Sequence, residues 1–514
     1  GTGTKNSADY NVAIGYKALT DLTTSDKNVA IGAYAGENIT TGENNVLVGY
    51  SAGMVVGGGY GLTTSGYNTA VGFETLGASS ADAITTNGYN TCVGYRAGYE
   101  LQEGGASNTA VGSGSQDSTT TGDDNTTVGK GSGESITTGS NNTYIGSNAG
   151  SGLDAESNNV AIGRQALKVT GAIANAVVIG YQAANTGGTI TTGANGLVAV
   201  GYQAAKAITS ANTTTAIGYQ AGLAITDGNG NTLIGYNAGD ALDSETDNTF
   251  VGAYCGAGAI AGADRCVAVG NAALYGAATE DGTVAIGYNA LNDLTSGSGN
   301  LAIGYYAMDS LTTGDSNIAI GASAMGDTNT STAVDSDYNI IIGHNAGSGD
   351  WQSKCVNNVA IGSSSMNGAM DDADNNTAIG HLALNALTTG DNNVAVGALA
   401  GDAITTGELN VAIGGQALSA ATTTGSNVAV GYQAGNAYTT ETGKSVSVGT
   451  YANAVATGNY NVSVGFGAQR GTTSGANNVA VGFQALSSAD GGGTALTGAY
   501  NVAIGYQAGF NLGG

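Results

Sequence analysis

A five-residue motif, Asn-Val-Ala-Val/Ile-Gly, recurs along the whole chain and constrains its fold more than any other feature. Residues 393–397 read NVAVG, and residues 410–414 read NVAIG, 17 residues later. The motif's Gly recurs in 28 units, always after Val or Ile, and 16 of the 27 spacings are 17 residues. Such an array is typical of a solenoid, in which no unit buries its apolar face alone. The sequence therefore predicts a single repeat-array domain over residues 1–514.

The repeat unit predicts short strands rather than helices. In Val394-Ala395-Val396 the β-branched residues alternate, which places both on one face of a strand. The following Gly397 predicts a turn with positive φ or a contact too close for a Cβ. A second short run and an Ile-Thr-Thr-Gly turn complete the unit, so we expect two strands and two turns per coil. The predicted fold is an all-β parallel β-solenoid of about 28 coils, roughly 130 Å long at about 4.8 Å per coil.

Two features of the composition agree with stacked strands. The chain has 89 Gly and 0 Pro among 514 residues, and Pro cannot donate a hydrogen bond to a strand ladder. Asn opens 22 of the 28 units. Stacked copies of Asn predict a ladder of side-chain amides along the solenoid.

Both faces of the predicted strand avoid water. We expect Val and Ile to face inward and to stack on their equivalents in the next coil. The residue between them is mostly Ala, and only Thr127, Ser447 and Ser463 are polar at this position. A lone solenoid needs one dry face, so the second face predicts packing against other copies of the chain. The alternative is a wide solenoid whose second face is covered by its own loops.

The net charge of the chain argues against nucleic acid and anionic lipid as partners. The net charge is −26, and nucleic acid and anionic lipid both require basic patches. No apolar run is long enough to cross a membrane.

Cys92 is expected to be a free buried thiol, and Cys255 and Cys266 pair only if the chain folds back between them. Acidic clusters such as Asp123–Asp124 are interpreted as solvated turns, so neither a metal nor a cofactor is predicted.

Aromatic residues supply the candidate binding positions. Tyr or Phe follows the motif's Gly in 14 units, including Tyr181, Tyr202, Tyr219 and Tyr236. Stacked at matched positions, these rings predict a ladder that stiffens the molecule. The alternative is a stripe that binds sugars. His344 and His381 occupy the same position and are interpreted as surface substitutions.

Longer spacings predict loop insertions, which often carry contacts in solenoid proteins. They fall at residues 53–67, 76–89, 184–196, 325–338, 347–357 and 486–500. The only Trp, Trp351, lies in one of them. It is either a recognition residue or a local plug that folds back onto the coil.

The motif N-V-A-I-G-x-x-A, as in residues 11–18, 159–166 and 501–508, resembles the head repeat of trimeric autotransporter adhesins of the YadA type. The 17-residue form with Thr-Thr-Gly is similar to repeat arrays of phage tail fibre proteins. The resemblance covers nearly the whole chain and implies a left-handed β-roll in which three chains pack side by side. The adhesins' coiled-coil stalk and membrane-anchoring barrel have no counterpart in this sequence.

These observations predict a non-enzymatic, extracellular fibre on a virion tail or a cell surface. Its expected partners are two further copies of itself, in a homotrimeric rod, and a glycan or receptor on a host cell. Two alternatives stay open. One is a polysaccharide depolymerase on a solenoid scaffold, and the other is a subunit of a self-assembling extracellular filament.

Overall fold

The computed structural model shows a parallel β-solenoid, which confirms the predicted all-β fold class. The structure describes residues 8–54, 62–77, 88–102, 104–190, 194–258, 260, 262–326, 336–438, 443–455, 458–471, 474–488 and 497–511. Those ranges contain strands and turns but no helix. Two compact units divide the chain, residues 1–253 and residues 254–514.

The first unit contains sixteen strands, numbered in chain order. They are β1 (Val12–Ile14), β2 (Val29–Ile31), β3 (Val46–Val48), β4 (Thr69–Val71), β5 (Thr91–Val93), β6 (Thr109–Val111), β7 (Thr126–Val128), β8 (Thr143–Ile145), β9 (Val160–Ile162), β10 (Thr170–Gly171), β11 (Val177–Ile179), β12 (Thr189–Ile190), β13 (Val198–Val200), β14 (Thr215–Ile217), β15 (Thr232–Ile234) and β16 (Thr249–Val251). Fourteen of them, all except β10 and β12, are the repeat strands and pair in parallel with their neighbours in the array.

The second unit contains fourteen strands, one for each repeat. They are β17 (Val267–Val269), β18 (Val284–Ile286), β19 (Leu301–Ile303), β20 (Ile318–Ile320), β21 (Ile340–Ile342), β22 (Val359–Ile361), β23 (Thr377–Ile379), β24 (Val394–Val396), β25 (Val411–Ile413), β26 (Val428–Val430), β27 (Val446–Val448), β28 (Val462–Val464), β29 (Val479–Val481) and β30 (Val502–Ile504). Each pairs in parallel with the next, and equivalent repeat positions face each other, as in Val394↔Val411 and Ala395↔Ala412.

Each repeat forms one strand, so the expected second strand is wrong for nearly all coils. The run after the motif's Gly is a series of turns, and among the described residues only β10 and β12 add a further two-stranded ladder. Positive φ angles explain the difference: Leu399 and Gly401, both in the run after Gly397, have φ 56°. A strand requires extended backbone, and left-handed residues at such short intervals prevent it.

The invariant Gly of the motif satisfies both of its predicted reasons. Gly397 has φ +137°, a region that L side chains rarely adopt, and a Cβ placed there would lie 2.6 Å from the carbonyl carbon of Gly414. The same approach recurs at Gly201, where a Cβ would lie 2.0 Å from the oxygen of Gly218. Coils therefore stack backbone against backbone at this corner, and only Gly fits there.

The structure reverses the expected assignment of the two strand faces. In every repeat strand after β1 the central residue, such as Ala395, is buried, while the flanking Val394 and Val396 are half-exposed. Leu and Ile from the turns fill the interior instead, as Ile404 does in this coil. The interior is narrow where the strand faces the turn, so small residues suit the strand's inward position and the larger β-branched residues point outward.

A large side chain at the strand centre is matched by a Gly at the position that faces it. The strand centre faces the fourth residue after the motif's Gly. Tyr144 lies against Gly150, where a Cβ would come within 2.4 Å of the Tyr144 ring, and Leu47 lies against Gly53, where it would come within 3.0 Å of the Leu47 side chain. Where the centre is Ala378, by contrast, the facing residue is the buried Leu384. In these coils the interior is therefore filled by one large side chain, which comes either from the strand centre or from the residue that faces it.

The predicted ladder of Asn side chains is confirmed. The backbone N–H and Nδ2 of Asn410 both donate to Oδ1 of Asn393, at 3.0 and 3.1 Å, and Nδ2 also donates to the carbonyl of Thr424 at 2.8 Å. Asn427 repeats the first two bonds onto Asn410. These amides are buried, and each is satisfied by its copies in the neighbouring coils.

Candidate functional site

The four predicted tyrosines come together as a stack of rings. Tyr181 and Tyr202 have centroids 5.5 Å apart, Tyr202 and Tyr219 5.0 Å, and Tyr219 and Tyr236 4.9 Å, with interplanar angles of 18°, 6° and 6°. Their side chains are half-exposed, from 37% for Tyr181 to 45% for Tyr236. The predicted aromatic ladder is therefore present on the surface of the first unit.

Beside these rings runs a second column, of Gln side chains, that the sequence analysis missed. Gln182 donates through Nε2 to Oε1 of Gln165, Gln203 donates to Gln182, and Gln220 donates to Gln203, each at 3.0 Å. The signal was present, since Gln recurs at the second position after the motif's Gly in consecutive units. Each Gln adopts a positive φ, as at Gln203 with 54°, and this turn geometry aligns the amides.

The stacked geometry limits what the aromatic column offers a ligand. A pyranose packs on the face of a ring, but both faces of Tyr202 and Tyr219 are covered by their neighbours. What remains exposed is the ring edge and the hydroxyl. This arrangement favours the stiffening role for the column, with edge contacts left for recognition.

Trp351 folds back into the coil. Its side chain is 2% exposed, and a Cβ on Gly347 would lie 3.3 Å from its ring and 3.1 Å from Ile341. The residue thus fills interior space that Leu or Ile occupies in regular coils, which favours the local plug over recognition. Its indole Nε1 has no hydrogen-bond partner within the described residues.

Of the predicted insertions, only residues 347–357 are wholly described. Parts of the other five, at 55–61, 78–87, 191–193, 327–335 and 489–496, lie outside the described residues. The turn at 347–357 stays close to the coil, and Gln352 donates its backbone N–H to Met370 in the next coil at 2.8 Å.

The outward faces of the repeat strands form the second candidate site. Val or Ile occupies the third position of every repeat strand, and Val, Ile, Leu or Thr occupies the first. These residues are half-exposed; Ile413, for example, is 39% exposed. We call this surface the Val/Ile face, and it runs along the fourteen repeat strands within each unit.

The four cysteines of the chain are buried, whereas its two histidines are exposed. Cys255 and Cys266 do not form a disulfide with each other. Burial raises the pKa of the Cys92 and Cys355 thiols to about 12, which keeps both protonated and unreactive near neutral pH. His344 and His381 are exposed, and the described residues hold no group of three or more side chains that suits a metal ion.

Comparisons with known proteins do not extend this picture. No protein-family model matches the chain, and no curated protein matches it either. Within the described ranges, no helix has the length and hydrophobicity needed to span a membrane.

Proposed function

We propose that the chain is the shaft of a homotrimeric extracellular fibre that spans distance and attaches to a host cell surface. The observation that carries this proposal is the Val/Ile face. Monomeric soluble proteins rarely expose contiguous apolar patches larger than a few hundred Å². The Val/Ile face repeats two β-branched residues in each of fourteen consecutive coils of a unit, so it forms a far more extended patch. Such a patch favours burial against further copies.

The reversal of the strand faces strengthens this argument. Ala was expected on the outward face, and it contributes little apolar area there. The structure places Val and Ile outward instead, and these residues lose more water-exposed surface on association. The number three comes from the resemblance to trimeric adhesin heads and tail fibres.

Solution mass tests the oligomeric part of the proposal. Sedimentation equilibrium is expected to give a mass near three times 49.9 kDa. Replacing Val396 and Ile413 by Lys places two charges on the Val/Ile face and is expected to weaken the assembly. The matched control replaces Thr389 and Thr406 by Lys, because both are exposed on the opposite turn. A monomeric mass for the unsubstituted protein would rule out the homotrimer.

Attachment and the absence of catalysis need separate measurements. Fluorescently labelled protein is expected to bind intact host cells, and removal of surface glycans to reduce that binding. Incubation with capsule or lipopolysaccharide followed by a reducing-sugar assay is expected to show no turnover. Measurable turnover would favour the depolymerase instead. In negative-stain images, rods of one length support a fibre, whereas endless rods would favour the filament.

A further inference from the structure

A polar cleft of about 230 Å³ opens on the turns of three consecutive coils in the second unit. Its walls are residues 423–425, 443–444 and 459–460, which occupy equivalent places just before three repeat strands. None of these residues belongs to the Val/Ile face or to the aromatic column of the first unit. The cleft is therefore independent of both surfaces described above.

The space exists because two coils carry Gly where other coils carry an acidic side chain. At the position of Asp374 and Asp391, these coils have Gly425 and Gly443. The backbones approach closely here: Lys444 donates its N–H to the carbonyl of Gly425 at 3.2 Å, and a Cβ on Gly443 would lie 2.5 Å from that oxygen. The missing side chains leave a notch whose floor is backbone.

A cation and an aromatic ring form one wall of the cleft. The Nζ of Lys444 lies 5.7 Å from the ring centroid of Tyr460, and Tyr460 is 52% exposed. Within the described residues Lys444 forms no ion pair, although the chain has 38 acidic residues against 12 basic ones. The ammonium lines the cleft, so it offers a positive charge to an anionic group that enters the notch.

Thr424, another residue that lines the cleft, carries a hydroxyl with no hydrogen-bond partner among the described residues. The side chain of Thr424 is 2% exposed, and its Oγ1 has no hydrogen-bond partner within the described residues. The Asn ladder holds this residue in place, because Asn410 donates to its carbonyl at 2.8 Å. A buried hydroxyl that stays unpaired costs free energy, and a sugar hydroxyl that reaches it after a rotation of the Thr424 side chain toward the cleft would remove that cost.

We propose that this cleft binds a carboxylate-bearing pyranose, the acidic sugar unit of a surface glycan. Lys444 pairs with the carboxylate, Thr424 bonds a ring hydroxyl, and the exposed edge and hydroxyl of Tyr460 contact the sugar. A uronic acid and a sialic acid share this chemistry. The inference deepens the proposed attachment function and rests on it for the source of the glycan.

The chain contains a matched site that lacks the cation. In the first unit Gly66 and Gly88 occupy the same turn position as Gly425 and Gly443, and Tyr67 and Tyr89 occupy that of Lys444 and Tyr460. There the two rings stack on each other, with centroids 5.0 Å apart and an interplanar angle of 10°. Because no ammonium is present in this pair, it serves as an internal control for substitutions.

Isothermal titration calorimetry and saturation-transfer NMR on the full chain test the cleft. The probes are trigalacturonate and 3′-sialyllactose, with glucose and lactose as neutral controls and acetate as a simple anion. At least one acidic probe is expected to bind, and the probe that binds identifies the sugar class. Lys444→Gln is expected to weaken binding by about tenfold or more, and Thr424→Val by less. Tyr89→Phe at the matched site is expected to leave binding unchanged.

Three results would overturn the inference: no binding of either acidic probe, unchanged binding by folded Lys444→Gln, or acetate binding as tightly as the sugars. Circular dichroism of each variant verifies that the strands are retained. Cell attachment by Lys444→Gln separates the two proposals. If attachment persists while acidic-sugar binding is lost, the cleft is supported and attachment uses another surface. If cells bind although neither acidic probe does, the cleft fails and the attachment function stands.

Discussion

Two regions of the molecule build the same coil with different side-chain ladders. In the second unit, the coils of Asn393, Asn410 and Asn427 are joined by a buried amide ladder. In the first unit, Ala176, Leu197 and Thr214 take the Asn position in three consecutive coils and interrupt that ladder. Strand pairing and register are nevertheless the same in both regions.

Outer ladders run through the coils in which the inner ladder is interrupted. The Gln column from Gln165 to Gln220 and the Tyr stack from Tyr181 to Tyr236 span these coils. The two kinds of ladder differ in what can replace a lost hydrogen-bond partner. Water can replace a lost neighbour at the surface, whereas a buried amide that loses its neighbour stays unpaired. The two regions should therefore respond differently to the loss of one ladder member.

The largest expected effect is common to both regions and tests whether their backbones are equivalent. Gly397→Ala and Gly201→Ala each place a Cβ against the next coil at a φ above +130°, so each is expected to cost at least about 3 kcal/mol of stability. Gly187→Ala is the control, with φ +63° and no atom within 4 Å of a Cβ, and an expected cost of about 1 kcal/mol. Urea unfolding measures all three. Tolerance of Gly201→Ala alone would show that the coils differ.

The second prediction concerns the inner ladder. Asn410→Ala leaves the N–H of Asn427 and the carbonyl of Thr424 without their bonds to this side chain in a buried site, at an expected cost of about 2 kcal/mol. Gln203→Ala is the outer counterpart, and its half-buried neighbours gain water, so about 0.5 kcal/mol is expected. Hydrogen exchange of the amides in the adjoining coils reports both changes. Equal losses of protection would contradict the distinction between inner and outer ladders.

The third prediction concerns the aromatic stack. Tyr202→Ala interrupts four stacked rings and is expected to cost about 1 kcal/mol, whereas Tyr202→Phe keeps the stack and is expected to change little. His381 holds the same repeat position in the Asn-ladder region, where His381→Ala is expected to cost less than about 0.5 kcal/mol. Thermal unfolding compares the three variants. A cost for Tyr202→Phe similar to that for Tyr202→Ala would assign the effect to the hydroxyl.

The smallest expected effect is a pH dependence at matched acidic residues. Burial raises the pKa of both Asp402 and Asp240 above the usual 3.8, and a bond from Asn237 to Asp240, at 2.8 Å, partly opposes this at Asp240. A raised folded-state pKa penalises the ionised form, so stability should rise as the pH falls from neutral through that pKa. Asp402→Asn should stabilise slightly at pH 7 and remove this rise, and Asp240→Asn should do so less. Melting temperatures at pH 7 and 4.5 measure it, and a fall in stability on acidification that Asp402→Asn abolishes would contradict the sign.

Several features of the fold were accessible from the sequence because they repeat. Unit length, parallel in-register strands, the Asn ladder and the two reasons for Gly397 all follow from a pattern that stacking multiplies. The tyrosine ladder follows in the same way, from one aromatic position taken up in consecutive units. The Gln column carries the same kind of signal, because a Gln that recurs at one position in consecutive units stacks in the same way as the aromatic residue before it.

The assignment of faces failed for a physical reason. Alternation of period two separates the faces of a strand but does not say which is inside when both are apolar. A weaker signal lay in the size exchange between the strand centre and the fourth residue after the motif's Gly. Tyr144 is followed by Gly150 at that position, and Ala378 by Leu384. That exchange identifies the two positions as neighbours in one narrow interior.

The sequence by itself determined that equivalent residues stack, because a 17-residue period with a shared Gly corner allows few other arrangements. Only the tertiary structure decided which side chains point inward and where the exceptions lie. It put Ala and the turn Leu and Ile residues inside, left Val and Ile outside, and buried Trp351. The reason is volume: the width of the interior is set by how the turns fold over the strand, and a local sequence pattern does not contain that distance.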